Sequence, residues 1–351
     1  MEAEKIIQAK IKENMTDYMM IAQTLYDNPE IGNEEFESMK LLVDYLDQAG
    51  FEMQSGYIVP TGFLGTYDTG KPGPTIAFMC EYDALPEIGH GCGHNLIAAI
   101  GVAAVDVALM IHPGSQNGVG SRSSALVPVK FEFHGNSAHA AASPWEGVSA
   151  LDSAVMSYMQ LNLLRQMTKP HTTIHGVIKE GGEAANVIPD YASLEYYFRA
   201  PTMAYAREIS EKAKEMVVGI NQANGTTVEI SEYECAYEDT VINYKLADIL
   251  TEQFEKIGVE NIQPVDEVAG GSTDVGAVSY KCPTIQGNIK IMPETVGAHT
   301  REMASATLTD AGRNGLNKGA QGIALTALAL LKDPGLLEEI KTEQEQTLAS
   351  L

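Results

Sequence analysis

Basic residues are scarce in this chain: 23 Lys and Arg stand against 47 Asp and Glu among 351 residues, a net charge of -24. Such a balance disfavours phosphate backbones and anionic headgroups, so we expect neither nucleic acid nor a membrane surface as a partner. Long apolar runs are also lacking, since no stretch approaches the ~20 residues needed to span a bilayer. With 44% hydrophobic residues, the chain is instead expected to be an acidic globular enzyme.

Cysteine is sparse as well. The four cysteines, Cys80, Cys92, Cys235 and Cys282, are widely spaced along the chain. The first residues, MEAEK, lack the basic and then apolar pattern of a signal peptide. Together these features predict a protein of the reducing cytoplasm.

The first third of the chain alternates helical and strand patterns. Amphipathic stretches at residues 4–26 and 34–49 come before the strand-like residues 75–80. This alternation predicts an α/β domain. Acidic residues, histidines and a cysteine follow the apolar strand, and open α/β sheets bind ligands at the carboxyl ends of their strands.

The pattern changes between residues 126 and 234. A half-buried strand at 129–133 comes before a helix whose apolar face is predicted to carry Val148, Leu151, Val155 and Met159. Two strands, a second helix and a last strand complete the order β-α-β-β-α-β, which is typical of a ferredoxin-like unit. We therefore expect an inserted domain at 124–235, with residues 1–123 and 236–351 forming the α/β domain.

A thiol and two imidazoles stand among glycines in the segment Gly89-His90-Gly91-Cys92-Gly93-His94-Asn95. Thiolate and imidazole are preferred ligands of zinc, and glycine lets a backbone fold around a small cation. Cys92 and His94 could instead be ordinary buried residues. Two potential ligands one residue apart favour a metal site.

The stretch after this motif lacks a connection. Residues 96–104 resemble the first turns of a helix and residues 105–111 a buried strand, with no Gly, Pro or Asn between them. A helix and a following strand need a loop of about 2 to 6 residues. The sequence therefore predicts that a segment is missing where Ala104 meets Val105.

Six short motifs occur in order: Asp83-Ala84-Leu85-Pro86, His90-Gly91-Cys92-Gly93-His94-Asn95, Met110-Ile111-His112-Pro113, His134-Gly135-Asn136-Ser137-Ala138-His139-Ala140-Ala141, Asn186-Val187-Ile188-Pro189-Asp190 and Gly297-Ala298-His299-Thr300. Together they resemble the amidohydrolase branch of the aminoacylase and carboxypeptidase G metallopeptidase family, within it the p-aminobenzoyl-glutamate hydrolase-like proteins. The resemblance covers nearly the whole chain. It implies a zinc-peptidase-like α/β/α catalytic domain with an inserted ferredoxin-like lid domain, through which the protein forms a homodimer.

The resemblance also implies a metal-dependent amidohydrolase or dipeptidase. Its substrate would be an N-acyl amino acid or a dipeptide with a free carboxylate. Cys92, His94, His112 and His299 match the family's ligands of one or two divalent ions, zinc or manganese. Asp83 matches a carboxylate that orients a ligand. Taken apart from the six ordered motifs, His112 could simply be the last residue of a strand.

Three residues of the lid domain match substrate-handling positions of the family. His139 matches a histidine that crosses the dimer and polarises the scissile carbonyl. Asn186 and Arg199 match residues that hold the substrate carboxylate, for which a guanidinium fork is well shaped. Their structural alternatives are a loop histidine, a turn-forming asparagine and an arginine in a surface ion pair.

The adjacent glutamates that serve the family as general base and metal ligand have no counterpart in this chain. Losing a general base commonly costs about 10² to 10⁴ in rate. Three explanations stay open at this point. Glu81, which stands where the carboxypeptidase branch has a histidine ligand, or Glu87 could replace the pair. The protein could instead be a non-catalytic binding or dimer-forming relative, or it could have lost an internal segment.

Overall fold

A computed structural model describes residues 2–100, 107–265 and 271–351. The described residues form eleven α-helices: α1 Glu2–Glu13, α2 Met15–Asp27, α3 Phe36–Gln48, α4 His94–Ile100, α5 Ala150–Leu164, α6 Met203–Asn224, α7 Tyr244–Lys256, α8 Val275–Ser279, α9 Arg301–Ala306, α10 Asp310–Lys332 and α11 Pro334–Ala349. They also form thirteen strands: β1 Glu52–Ser55, β2 Phe63–Thr66, β3 Ile76–Phe78, β4 Val107–Gly114, β5 Asn117–Gly118, β6 Ala125–His134, β7 Ala138–His139, β8 Thr173–Glu180, β9 Val187–Ile188, β10 Tyr191–Ala200, β11 Thr227–Ser231, β12 Ile262–Gln263 and β13 Thr284–Lys290.

The chain divides into two compact units. Unit 1 comprises Met1–Ser121, Val241–Glu267 and Val278–Leu351, and unit 2 comprises Arg122–Thr240 and Val268–Ala277. The second unit is thus inserted into the first. The sequence pattern did not indicate that residues 271–277 belong with the inserted unit.

Unit 1 contains a five-stranded sheet in the order β12-β5-β13-β4-β3. Strands β3, β4 and β13 run parallel, with Phe78 opposite Leu109 and Leu109 opposite Ile285. Residues 107–111 of β4 are fully buried, as expected for a parallel strand covered on both faces. The carboxyl ends of these three strands therefore meet at one edge of the sheet.

The core of unit 1 joins this sheet to its helices. Val107, Leu109 and Ile111 of β4 belong to one apolar cluster with residues of α7 and α10 such as Phe254 and Leu316. Helix α11 contributes Leu337 and Ile340, although its Glu- and Gln-rich sequence favours a solvated end. The α/β prediction for this domain is confirmed.

Unit 2 is built on a four-stranded antiparallel sheet in the order β11-β6-β10-β8. Helix α5 follows β6 and helix α6 follows β10, which gives the ferredoxin-like order β-α-β-β-α-β. Strand β10 pairs along its whole length with β6, from Tyr191 opposite His134 to Ala200 opposite Ala125. The predicted topology of the inserted domain is confirmed.

The predicted apolar face of α5 is wrong. Val155 and Met159 are exposed, and the helix instead buries small or distant residues such as Ala154, Ser157 and Leu161. The helix packs on the sheet through these residues and Leu164, whereas Val155 and Met159 lie on its exposed side.

The N-terminal stretch forms two helices rather than one, because the chain interrupts the helix at Asn14 between α1 and α2. The predicted missing connection at Ala104 and Val105 lies outside the described residues. No helix in the described ranges combines the length and the apolar character needed to cross a bilayer.

Candidate metal centre

The glycine-rich loop before α4 takes a conformation that only glycine accommodates well. Gly93 has a φ of +85°, and a Cβ there would lie 2.5 Å from Cγ of Pro113 and 2.9 Å from Cε of Met303. A side chain would thus meet both backbone strain and a steric clash. The loop lies directly against the carboxyl end of β4 for this reason.

Two buried side chains tie the same loop to α2. His90 Nε2 lies 3.1 Å from the carbonyl oxygen of Leu25, and Asn95 Nδ2 donates to the carbonyl of Ala22 at 3.1 Å and to Oγ1 of Thr307 at 3.0 Å. His90 and Asn95 are almost completely buried. The structure gives His90 a role in anchoring this loop.

Glu81, His94 and His112 come together at the carboxyl ends of β3 and β4. One ligand atom of each residue lies within 4.8 Å of the other two. Oε2 of Glu81 is 3.2 Å from Nε2 of His94, and the rings of His94 and His112 meet edge to face with centroids 5.8 Å apart. Metal-bound N and O atoms lie about 2.0 to 2.2 Å from zinc, so this spacing suits one ion.

The remote nitrogen of each imidazole is already engaged. His94 Nδ1 lies 2.7 Å from Oδ1 of Asp83, and His112 Nδ1 lies 2.7 Å from the carbonyl oxygen of Pro113. A carbonyl oxygen only accepts, so Nδ1 of His112 carries the proton and Nε2 keeps a lone pair. A neutral His94 that donates to Asp83 has the same tautomer, which is the arrangement in which metal-binding histidines are usually held. The donor set therefore fits a divalent cation.

The electrostatics of the cluster favour positive charge at His94. Burial lowers the pKa of His94, but hydrogen bonds to Asp83 and Cys92 and the charge of Glu81 outweigh it and raise the pKa well above its usual value. Burial raises the pKa of Asp83, and the hydrogen bond and charge of His94 reverse this to a net lowering. Burial and the charge of His94 lower the pKa of His112 to about 4. The imidazole of His112 is thus uncharged at neutral pH.

The other two predicted ligands lie beside this cluster. Cys92 lies two residues before His94, and the backbone N–H of His299 donates to the carbonyl of Gly91 at 2.9 Å. The His299 side chain is exposed, with its residue at a φ of +62°. Among the described residues, neither Cys92 nor His299 belongs to the group of mutually close ligand atoms.

A cavity of about 530 Å³ opens next to His112. Uncharged polar side chains line much of it, including Ser115, Asn117, Ser121 and Gln263, and Met292 adds an apolar contact. Its position beside a possible metal ligand gives room for a small molecule.

In unit 2 the predicted residues His139 and Asn186 are neighbours. Strand β7 pairs with β9, and Ala140 donates its N–H to the carbonyl of Asn186 at 3.0 Å. Nδ1 of His139 accepts from the N–H groups of Ala141 and Ala142, each at 3.2 Å. The proton of a neutral His139 is therefore on Nε2, and both side chains are exposed.

Arg199 lies near the opposite end of β10. The strand runs from Tyr191 to Ala200, so about eight residues, roughly 26 Å at the usual rise, separate Arg199 from the end near Asn186. Arg199 donates from Nη1 to Oγ of Ser272 at 2.9 Å, while its buried Nε lacks a partner in the described part of the chain. The structure does not bring Arg199 and Asn186 together within one unit.

Sequence reasoning treated Glu81 only as one of two possible substitutes. The signal was present, because Glu81 and Asp83 are two residues apart after a short strand and alternate residues of an extended chain share a side. The exposed Glu87 does not join the cluster.

Comparisons with known proteins agree with this architecture. A family model described as a peptidase dimerisation domain matches residues 122–224. The chain is 32% identical to the Xaa-Arg dipeptidase of Mus musculus, over 92% of this chain and 88% of the relative. It is 26% identical to one of the two p-aminobenzoyl-glutamate hydrolase subunits of Escherichia coli K12, over 98% of this chain and 95% of that subunit.

A solved Bacillus subtilis structure, described as a dinuclear metal-binding peptidase from the M20 family, superposes with a TM-score of 0.61 at 16% identity, covering 92% of this chain and 99% of that one. The mouse alignment is 378 positions long, more than the residues of this chain that it contains, so the relative has residues inside the aligned region that this chain lacks. The relatives are named as hydrolases, so the non-catalytic alternative is not favoured. The chain belongs to the M20 family of metal-dependent peptidases and amidohydrolases.

Proposed function

We propose that this protein hydrolyses the amide bond of a dipeptide or an N-acyl amino acid that ends in a free carboxylate. The observation that carries the proposal is the pair His94 and His112, each hydrogen-bonded at Nδ1 and each with a ligand atom within 4.8 Å of the other and of Glu81. Relatives named for dipeptides and for p-aminobenzoyl-glutamate support this substrate class.

We infer that Cys92, His94, His112 and His299 bind one or two divalent ions, zinc or manganese, and that Asp83 orients His94. The hydrogen bond that His94 Nδ1 donates to Asp83 supports this arrangement. A divalent ion bound by these residues supplies Lewis-acid polarisation of the amide carbonyl and lowers the pKa of water. The cavity beside His112 suits a small uncharged part of the substrate.

The substrate-handling roles of unit 2 are also proposed. Nε2–H of His139 donates to the scissile carbonyl. The two backbone N–H groups that donate to Nδ1 support this role, because they fix the proton of the neutral ring on Nε2. Asn186 and Arg199 bind the substrate carboxylate. The buried Nε of Arg199 supports this role, because a buried N–H without a partner is costly and an anion would satisfy it.

We propose that the protein forms a homodimer through unit 2. Helix α5 exposes Val155, Met156, Met159 and Leu163, and it packs against β8, which lies at the edge of the sheet. An exposed apolar face beside an unpaired strand edge is typical of an interface. Because His139 and Arg199 are far apart within one unit, we infer that a given active site takes them from different subunits.

A cytoplasmic location is proposed as well. The four cysteines, all within the described ranges, form no disulfide with one another, which suits a reducing compartment.

The function is tested with purified protein, loaded separately with manganese and zinc. Hydrolysis of dipeptides, N-acetyl amino acids and p-aminobenzoyl-glutamate is measured together with metal content. Turnover that requires metal and a free substrate carboxylate is expected. Metal-loaded protein that turns over none of these classes would contradict the proposal.

A further inference from the structure

The family's adjacent glutamates have no counterpart in this sequence, yet one carboxylate stands among the imidazoles. Glu81 follows β3 at the edge where β4 delivers His112, and its Oε2 lies 3.2 Å from His94 Nε2. We propose that Glu81 is a metal ligand, binding the same divalent ion as His94 and His112 and supplying the carboxylate that the sequence otherwise lacks. This inference rests on the proposed metal-dependent function.

The donor pattern around His94 carries the argument. Asp83 lies at Nδ1 of His94, and Nε2 of the same ring faces the Glu81 carboxylate at 3.2 Å. One ligand atom of His112 lies within 4.8 Å of a ligand atom of both residues. The two carboxylates beside His94 carry more negative charge than the single positive charge that the ring can hold. A divalent ion that takes the place of the Nε2 proton balances this charge and binds Glu81, His94 and His112 together.

Within the described ranges, no other nearby carboxylate fits this position as well. Asp83 contacts the nitrogen of His94 that faces away from the cluster. Glu87 is exposed and lies outside the group formed by Glu81, His94 and His112. Two imidazoles and one carboxylate form a familiar ligand set for divalent metals and leave coordination positions open.

Titration calorimetry with Mn²⁺ and, separately, Zn²⁺ tests the assignment on chelator-treated protein. Glu81→Gln keeps the shape of the side chain and removes its charge, and Glu87→Gln is the matched control from the same segment. We expect Glu81→Gln to raise the metal Kd by about 100-fold or more, since even residues behind the ligands commonly contribute 10-fold to 100-fold. Glu87→Gln should bind metal as the unchanged protein does.

The outcomes separate this inference from the proposed function. If the unchanged protein binds neither ion, both fail. If it binds metal and hydrolyses substrate while Glu81→Gln retains the same Kd, the ligand role is overturned and the function stands. A Glu81→Gln protein with normal metal affinity but lost hydrolysis also overturns it, because Glu81 would then act on water or substrate.

Folding is checked by the urea midpoint of the metal-free variants, which we expect to be unchanged. Should Glu81→Gln not fold, Glu81→Asp keeps the carboxylate but withdraws it by one methylene. A raised metal Kd for Glu81→Asp supports the assignment, and an unchanged Kd overturns it.

Discussion

At the scale of single residues, the absence of a side chain at Gly93 shapes the candidate metal centre as much as the side chains of its neighbours do. Gly93 has no side chain where Pro113 and Met303 approach, and this lets the loop carrying Cys92 and His94 lie against β4. Cys92 and His94 are therefore held at a fixed separation from the strand that carries His112.

Replacing Gly93 with alanine tests this close approach. The added Cβ meets Pro113 and a strained φ of +85°, so we expect a loss of about 1–3 kcal/mol in the free energy of unfolding. Urea denaturation gives the stability and metal analysis the occupancy. Gly73→Ala is the control, because a Cβ at Gly73 has open space; equal losses for both variants would argue against the close approach.

Substitutions at two different residues should affect metal binding and the binding of the substrate carboxylate separately. We expect Cys92→Ala to lose most of its bound metal, because it removes a proposed thiolate ligand two residues before His94. Arg199→Ala should keep its metal and show a higher KM for carboxylate-bearing substrates, since it removes one guanidinium. Elemental analysis and steady-state kinetics measure the two effects. Unchanged metal content in Cys92→Ala would refute its assignment as a ligand.

At the scale of elements, helix α3 begins without a cap of its own. Glu35 makes no side-chain capping bond there. Glu30, five residues before Glu35, caps the helix instead. Its carboxylate accepts from the N–H groups of Glu37 and Ser38 at 3.2 and 2.7 Å and from the Ser38 hydroxyl at 2.7 Å. A carboxylate at this end also complements the helix dipole.

Glu30→Gln should therefore destabilise the protein by about 1 kcal/mol at neutral pH, as loss of a helix cap does. Burial alone would raise the pKa of Glu30, but the bonds from Ser38 and Glu37 lower it below 4.5. The stabilisation is thus present above pH 4.5 and is lost as the pH falls through the lower folded-state value. Unfolding curves at about pH 7 and about pH 3 should show the difference between the proteins shrink in acid. A difference that persists in acid would contradict the ionic cap.

The sequence predicted elements well where burial follows a simple period. Alternating Val129, Phe131 and Phe133 gave β6, and the continuous apolar residues 107–111 gave the buried part of β4. It failed for α5, because helical spacing identifies an apolar stripe but not which side of the helix packs. Short side chains such as Ala154 and Ser157 form much of the buried side there, beside Leu161 and Leu164. A search for periodic large residues does not detect the short ones.

The same distinction applies to the site. Residue spacing and resemblance drew attention to His94, His112 and Asp83, which the structure brings together. The sequence offered Glu81 only as one of two possible substitutes for the glutamate pair, because its proximity to His112 depends on the pairing of β3 with β4.

At the scale of the whole molecule, the exposed apolar face of α5 determines the expected assembly. Met159 is 62% exposed and Leu163 53%, a large apolar area for a chain that otherwise carries a strong net negative charge. A second copy of unit 2 would cover it without requiring any other partner.

Charge on this face should disrupt the dimer. We expect Met159→Glu combined with Leu163→Glu to give monomers, because burying unpaired carboxylates is costly. Light scattering after gel filtration measures the mass. Val218→Glu is the control, since Val218 is an exposed apolar residue on α6 of the same unit. A double variant that remains dimeric would exclude α5 from the interface.

Two hydrogen-bonded side chains join the glycine-rich segment at residues 89–95, beside the candidate metal centre, to a helix much earlier in the chain. His90 and Asn95 both bond to backbone carbonyls of α2, at Leu25 and Ala22. Because backbone atoms are the acceptors, side-chain substitutions on α2 need not disturb this link, whereas anything that shifts the register of the helix would. A single-residue insertion within α2 should therefore weaken metal binding more than most substitutions there.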